Sequence, residues 1–106
     1  MTTWRPTTRE ELEVIVAQHL QRCNAEENAL FHRLRIPIRA TPIDRGGKRE
    51  CVFVVAEQGE RVLFWDDVEE GFELASSDSD GVLRHTGASQ FELLHVMRQL
   101  LDEETR

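Results

Sequence analysis

His19 and Cys23 stand four residues apart, the spacing that puts two side chains on one face of a helix, and an imidazole beside a thiolate is a zinc-ligand pair. His85 or His95 would have to complete the set, and neither belongs to a second closely spaced ligand pair. His19 and Cys23 also continue an apolar helix stripe, so packing accounts for them and no metal or other cofactor is expected. Glu92 and His95 form one Glu-x-x-His unit, whereas a di-iron bundle site needs two with further glutamates. In "SSDSDG" the residues Ser76, Asp78, Asp80 and Gly81 match positions 1, 3, 5 and 6 of a calcium loop. Gly87 then falls where the bidentate glutamate belongs, and strand-like alternation flanks the loop where helices should be. An acidic turn is the expectation.

Nucleophile and base pairs can be drawn from Cys51 with His85 and from Ser89 with His95. Neither sits in a Gly-x-Ser-x-Gly elbow, and Ser89 with Glu92 already reads as a helix-capping box. "DRGG" lacks the lysine and following helix of a phosphate loop. A small enzyme or metal-binding protein using these His and Cys residues is therefore the alternative reading, and the leading one is non-enzymatic.

The densest chemistry is acidic. Val62 to Gly81 holds seven acids among four aliphatic and three aromatic residues, with Asp66, Asp67, Glu69 and Glu70 in one short run. The formal charge of −7 opposes general binding to nucleic acid or anionic lipid. Residues 1–49 carry nine of the 13 Lys and Arg but six of the 20 acids, a local balance of +3 that leaves −10 for the remainder. Such asymmetry steers a basic protein partner, or a second copy of the chain, toward the acidic end.

The elements that must position these groups are marked by caps and periods. At 106 residues the chain fits one α+β domain over 1–106. Thr8 and Glu11 form a capping box, followed by Leu12, Ile15, Val16, Leu20 and Cys23 at helical spacing. Asn24 and Glu27 offer a second box, so residues 8–34 form one helix or two, ending near Arg35 because Pro37 forbids continuation. From Ile36 the period becomes two, with Pro37 and Pro42 placing that strand near a sheet edge. Four further strands, "CVFVVAE", "ERVLFW", "GFELA" and "GVLRHT", complete an antiparallel meander of about five. Phe91, Leu93, Leu94, Val96, Met97, Leu100 and Leu101 give a closing helix its apolar face.

The central hairpin breaks strand alternation. A two-residue turn at Gln58-Gly59 would put Phe53, Val55, Val62 and Phe64 on one face and Val52, Val54, Leu63 and Trp65 on the other. Helices on one side would leave Val54, Leu63 and Trp65 as an apolar island with a charged rim. Helices on both sides would bury both faces. The functional expectation is a small acidic binding module, its contact set Val54, Leu63, Trp65, Asp66, Asp67, Glu69 and Glu70, acting on a basic partner or as a homodimer. No apolar run approaches the roughly 20 residues that span a bilayer, and no charged leader precedes one, so a soluble cytoplasmic protein without nucleic-acid or membrane partners is expected. Because neither metal pattern is complete, adding a chelator is expected to leave the melting temperature unchanged. A fall of several degrees reversed by zinc would contradict that.

Overall fold

The computed structural model describes residues 6–45, 47–77, 81–84 and 92–104. Helix α1 spans Arg9–Leu20 and opens on the expected box: the Thr8 hydroxyl accepts the Glu11 amide at 3.1 Å, and the Glu11 carboxylate accepts the Thr8 amide at 3.0 Å. Leu12 and Val16 are its buried stripe. A tightened turn at residues 21–23 ends it, and the Asn28 side-chain amide donates to the Leu20 and Cys23 carbonyls at 3.1 Å each. Helix α2 spans Ala25–Leu34 behind the second box, formed by Asn24 and Glu27. The helical region is thus two helices, because Asn24 caps a new one just where α1 runs out of acceptors.

Four strands follow as an antiparallel meander: β1 Arg35–Arg45, β2 Lys48–Gln58, β3 Arg61–Asp66 and β4 Gly71–Ser77. Of the fifth expected strand, His85 and Thr86 lie outside the described residues, and the structure describes β5, Leu83–Arg84. It pairs antiparallel with β4 and parallel with β1, closing the sheet into a small barrel. Helix α3 spans Leu93–Glu104 and buries Leu93, Val96, Met97 and Leu100. Its expected cap, Ser89, and Phe91 lie outside the described residues.

The register of the central hairpin differs from the sequence expectation by one residue. The turn is Gly59-Glu60, with Gly59 at φ +63, the conformation that primed hairpin turns require. Gln58 therefore faces Arg61, and a bulge between Val54 and Ala56 shifts the pairing again, to Val54 with Phe64 and Phe53 with Trp65. Val52, Val54, Val62 and Phe64 consequently point together into the barrel, with Ile43, Ala75 and Leu83. Val55, Leu63 and Trp65 face outward into one cluster with Phe72 and the buried residues of all three helices. Strand β1 is irregular between Arg35 and Arg39, so Ile36 packs with the inner cluster and Ile38 with the outer one.

Helix α3 is locked to α2 by a charged clamp. Glu27, 2% exposed, uses one oxygen to accept the Asn24 amide at 2.8 Å and the other to accept Arg98 Nε and Nη2 at 3.2 and 2.9 Å. The Asn24 amide, helped by the guanidinium, holds this carboxyl below the usual carboxylate range despite its burial. Replacing Glu27 by an apolar residue removes its half of the capping box and leaves the Arg98 guanidinium without this carboxylate. Glu27→Ala is expected to cost roughly 2–3 kcal/mol in urea unfolding, and Glu27→Gln, which keeps the cap acceptor, less.

Candidate functional site

The acidic run forms the β3–β4 loop, and its shape is set by its first residue. Asp66 ends β3 with 2% exposure, and its Oδ1 accepts the amides of Val68 at 3.0 Å and Glu69 at 3.2 Å. That local turn is a common use of aspartate. The chain then passes through Glu70 in the left-handed region, φ +56, before Gly71 resumes pairing opposite Asp66. Glutamate there costs about 1 kcal/mol that a glycine would not. The result is a fixed loop that projects Val68, 59% exposed, between half-buried Asp67 and Glu69 on either side, with Glu70 exposed behind them.

A cleft of about 240 Å³ opens beside this loop. Ala40, Phe53 and Trp65, neighbours across β1, β2 and β3, form its floor, while Pro6, Thr7 and Asp67 stand on its wall. The segment before α1 is fastened there by two bonds: the Trp65 indole N–H donates to the Thr7 hydroxyl at 3.1 Å, and the Thr7 amide donates to Asp67 Oδ2 at 3.3 Å. Behind Trp65, Phe72 and His19 meet it edge-on, with ring centroids 5.0 and 6.5 Å away. Because β2 and β3 are antiparallel, Lys48 and Arg49 at the start of β2 lie at the same end of the barrel as the loop.

The structure divides the expected contact set. Asp66, Asp67, Glu69, Glu70 and Trp65 gather at one end, with Asp67 and Trp65 lining one cleft. Val54 is fully buried inside the barrel, Leu63 lies 2% exposed beneath the helices, and Trp65 is itself 5% exposed. The expected surface island of these three residues is therefore corrected: barrel closure covers Val54, and the helices cover the other two. Thr7, Pro6, Ala40 and Phe53 were not among the contact residues expected from the sequence. Thr7 had a visible signal only as a neighbour of the Thr8 cap.

The His and Cys residues of the alternative reading do not converge. The His19 Nδ1 accepts the first amide of α3, from Leu93, at 3.1 Å, and its ring lies edge-on to Phe72 at 5.1 Å. Cys23 is half-buried, its thiol pushed up by burial and by the charges of Glu27 and Glu92. Cys51 and His95 are exposed, and His85 and Ser89 lie outside the described residues, as do Asp78 and Asp80. Among the described residues no three His, Cys, Asp or Glu side chains gather as metal ligands, and no helix is long and apolar enough to cross a membrane. No family model, curated protein or solved structure matches the chain.

His19 carries a pH dependence. Burial, then the Arg22 charge, lowers its pKa, opposed by Glu92, and a protonated Nδ1 could not accept the Leu93 amide. A lowered folded value means the unfolded chain binds the proton first. The stabilisation is thus complete above about pH 6.5, the unperturbed histidine value, and falls as pH drops below it. His19→Gln keeps an acceptor without the titration. The wild type is expected to lose more stability than this variant between about pH 6.5 and 5, measured by urea melts.

Proposed function

We propose that this chain is a non-enzymatic acidic binding module that engages a basic protein partner through the β3–β4 loop and the sheet face beside it. The observation that carries the reading is the loop's backbone. Glu70 occupies a left-handed conformation at φ +56 that a glycine would adopt without penalty, in a loop otherwise tied down by the Asp66 carboxylate. Strain of this kind at an exposed position is characteristic of contact sites, where a fixed display of side chains outweighs its cost. The display here is Asp67, Glu69 and Glu70 around an exposed valine, an apolar tip with a charged surround.

Charge pairing elsewhere supports the same assignment. Arg22, Arg33 and Arg61 are engaged by Glu92, Glu104 and Glu103 at 2.5, 2.6 and 2.5 Å. Glu70, by contrast, has no cationic partner among the described residues. A second copy of the chain is the alternative partner, since its Lys48 and Arg49 would meet the loop in a two-fold arrangement.

Three measurements test the reading. Glu70→Gly is expected to raise stability by about 0.5–1 kcal/mol, and no gain would remove the strain argument. Neutralising the loop by Asp67→Asn, Glu69→Gln and Glu70→Gln should cost at most about 1–2 kcal/mol, since an asparagine at position 67 keeps an oxygen to accept the Thr7 amide. The same variant should weaken binding of a lysine-rich peptide about tenfold, against little change for a control neutralised at Glu10, Glu26 and Glu60. Equal binding by loop and control variants would refute the module reading. Sedimentation mass decides between a foreign partner and a second copy.

A further inference from the structure

We propose that the first turn of α3 is an acid-opened latch: protonation of His19 Nδ1 releases Leu93 to Val96 from α1 while the rest of the helix stays docked. Such a local opening is distinct from a loss of overall stability. It holds whether or not the β3–β4 loop binds a partner.

The polar anchors of α3 divide at its middle. The start of the helix is tied to the end of α1 and the turn after it by two contacts, the Leu93 amide to His19 Nδ1 at 3.1 Å and Arg22 to Glu92 at 2.5 Å. From Arg98 onward it is held by Glu27, and further along by Arg61 to Glu103 and Arg33 to Glu104. Arginine keeps its charge in acid, and the Asn24 amide with Arg98 holds the Glu27 carboxyl below the usual carboxylate range. The second group of anchors therefore survives mild acid. Glu92 does too, its carboxyl held low chiefly by the hydrogen bond from Arg22.

Protonation of His19 acts twice on one contact. Nδ1 becomes a donor facing the Leu93 donor, and the new cation lies at the positive end of the α3 dipole. The charged groups acting on the ring are Arg22 and Glu92, with Cys23 one turn along and His95 exposed on α3. From α2 the nearest acid is Glu27, which is committed to Arg98, and β3 and β4 meet the ring with the uncharged faces of Trp65 and Phe72. Burial and Arg22 oppose the imidazolium more than Glu92 favours it. Opening hydrates the ring and moves it from the helix end, so the open state binds the proton more tightly and acid favours it. The docked state is complete above about pH 6.5 and is lost as pH falls through the lower value of the docked imidazole. Leu93 and Val96, 0% and 2% exposed, belong to the cluster that holds Trp65 and Phe72, so the opening bares apolar surface.

The test is amide exchange of the full chain, followed by nuclear magnetic resonance at about pH 7 and about pH 5.5 in up to about 1 M urea. The Leu93, His95 and Val96 amides are expected to exchange through an opening that urea does not accelerate. After correction for intrinsic rates, that opening should become about threefold or more frequent at the lower pH. Leu100 to Glu103 should exchange with the urea dependence of global unfolding. His19→Gln should remove the acid response of the first turn, and His95→Gln should leave it. In the wild type alone, the opening should follow the titration of the His19 ring nitrogens. Equal urea dependence in both halves of α3 would overturn the latch, because the helix would then leave only with the whole fold. So would an acid response that persists in His19→Gln or that departs from the titration of the His19 ring.

Discussion

The central constraint is that β2 and β3 are apolar on both faces. Val52, Val54, Val62 and Phe64 line one face and Val55, Leu63 and Trp65 the other, and all seven are buried. A flat sheet with helices on one side would leave one of these sets in water, at roughly 1.5–3 kcal/mol for each large side chain. Closure of the meander solves this without a second helical layer. The inner set packs on itself once β5 bridges β4 and β1, and the three helices are then needed only outside. Glu73, 1% exposed and paired across strands with Phe64, shares that enclosed side of β4 with Ala75.

The helical layer depends in turn on polar fastenings more specific than hydrophobic contact. Glu27 joins the start of α2 to Arg98 of α3, and the His19 imidazole takes the first amide of α3 at the end of α1. The surface pairs Arg22–Glu92, Arg33–Glu104 and Arg61–Glu103 each contribute little energy, at most about 1 kcal/mol. Their joint effect is positional, fixing the acidic C-terminal segment against the α1–α2 turn, α2 and β3. Part of the charge asymmetry along the sequence is thereby answered within the fold.

The β3–β4 loop and the cleft share a mechanical origin. The bulge at Val54/Ala56 and the Gly59-Glu60 turn together put Phe53 opposite Trp65 on the outer face. Thr7 then ties the segment before α1 across Trp65 to Asp67, so one wall of the cleft comes from the helix entry and another from the acidic loop. A single-residue change of register would turn Phe53 inward and remove the floor.

The helices were legible in the sequence because their signals are local. Thr8 with Glu11 and Asn24 with Glu27 satisfy amides within one turn, and Pro37 forbids helix by its own ring, so no distant residue can revise them. The α+β class, the meander and the acidity of the β3–β4 connection were legible for the same reason. Register was not. Gln58-Gly59 and Gly59-Glu60 are both sound two-residue turns, and with apolar residues on both faces the pattern cannot show which face a slip exposes. Closure was equally hidden, since the β1 partners of Leu83 and Arg84 lie 40 positions away in the sequence. The fate of Val54, Leu63 and Trp65 therefore belonged to the tertiary structure. So did the meeting of Thr7, Trp65 and Asp67, because burial and cleft formation depend on which distant segments cover a side chain, and sequence spacing does not encode that.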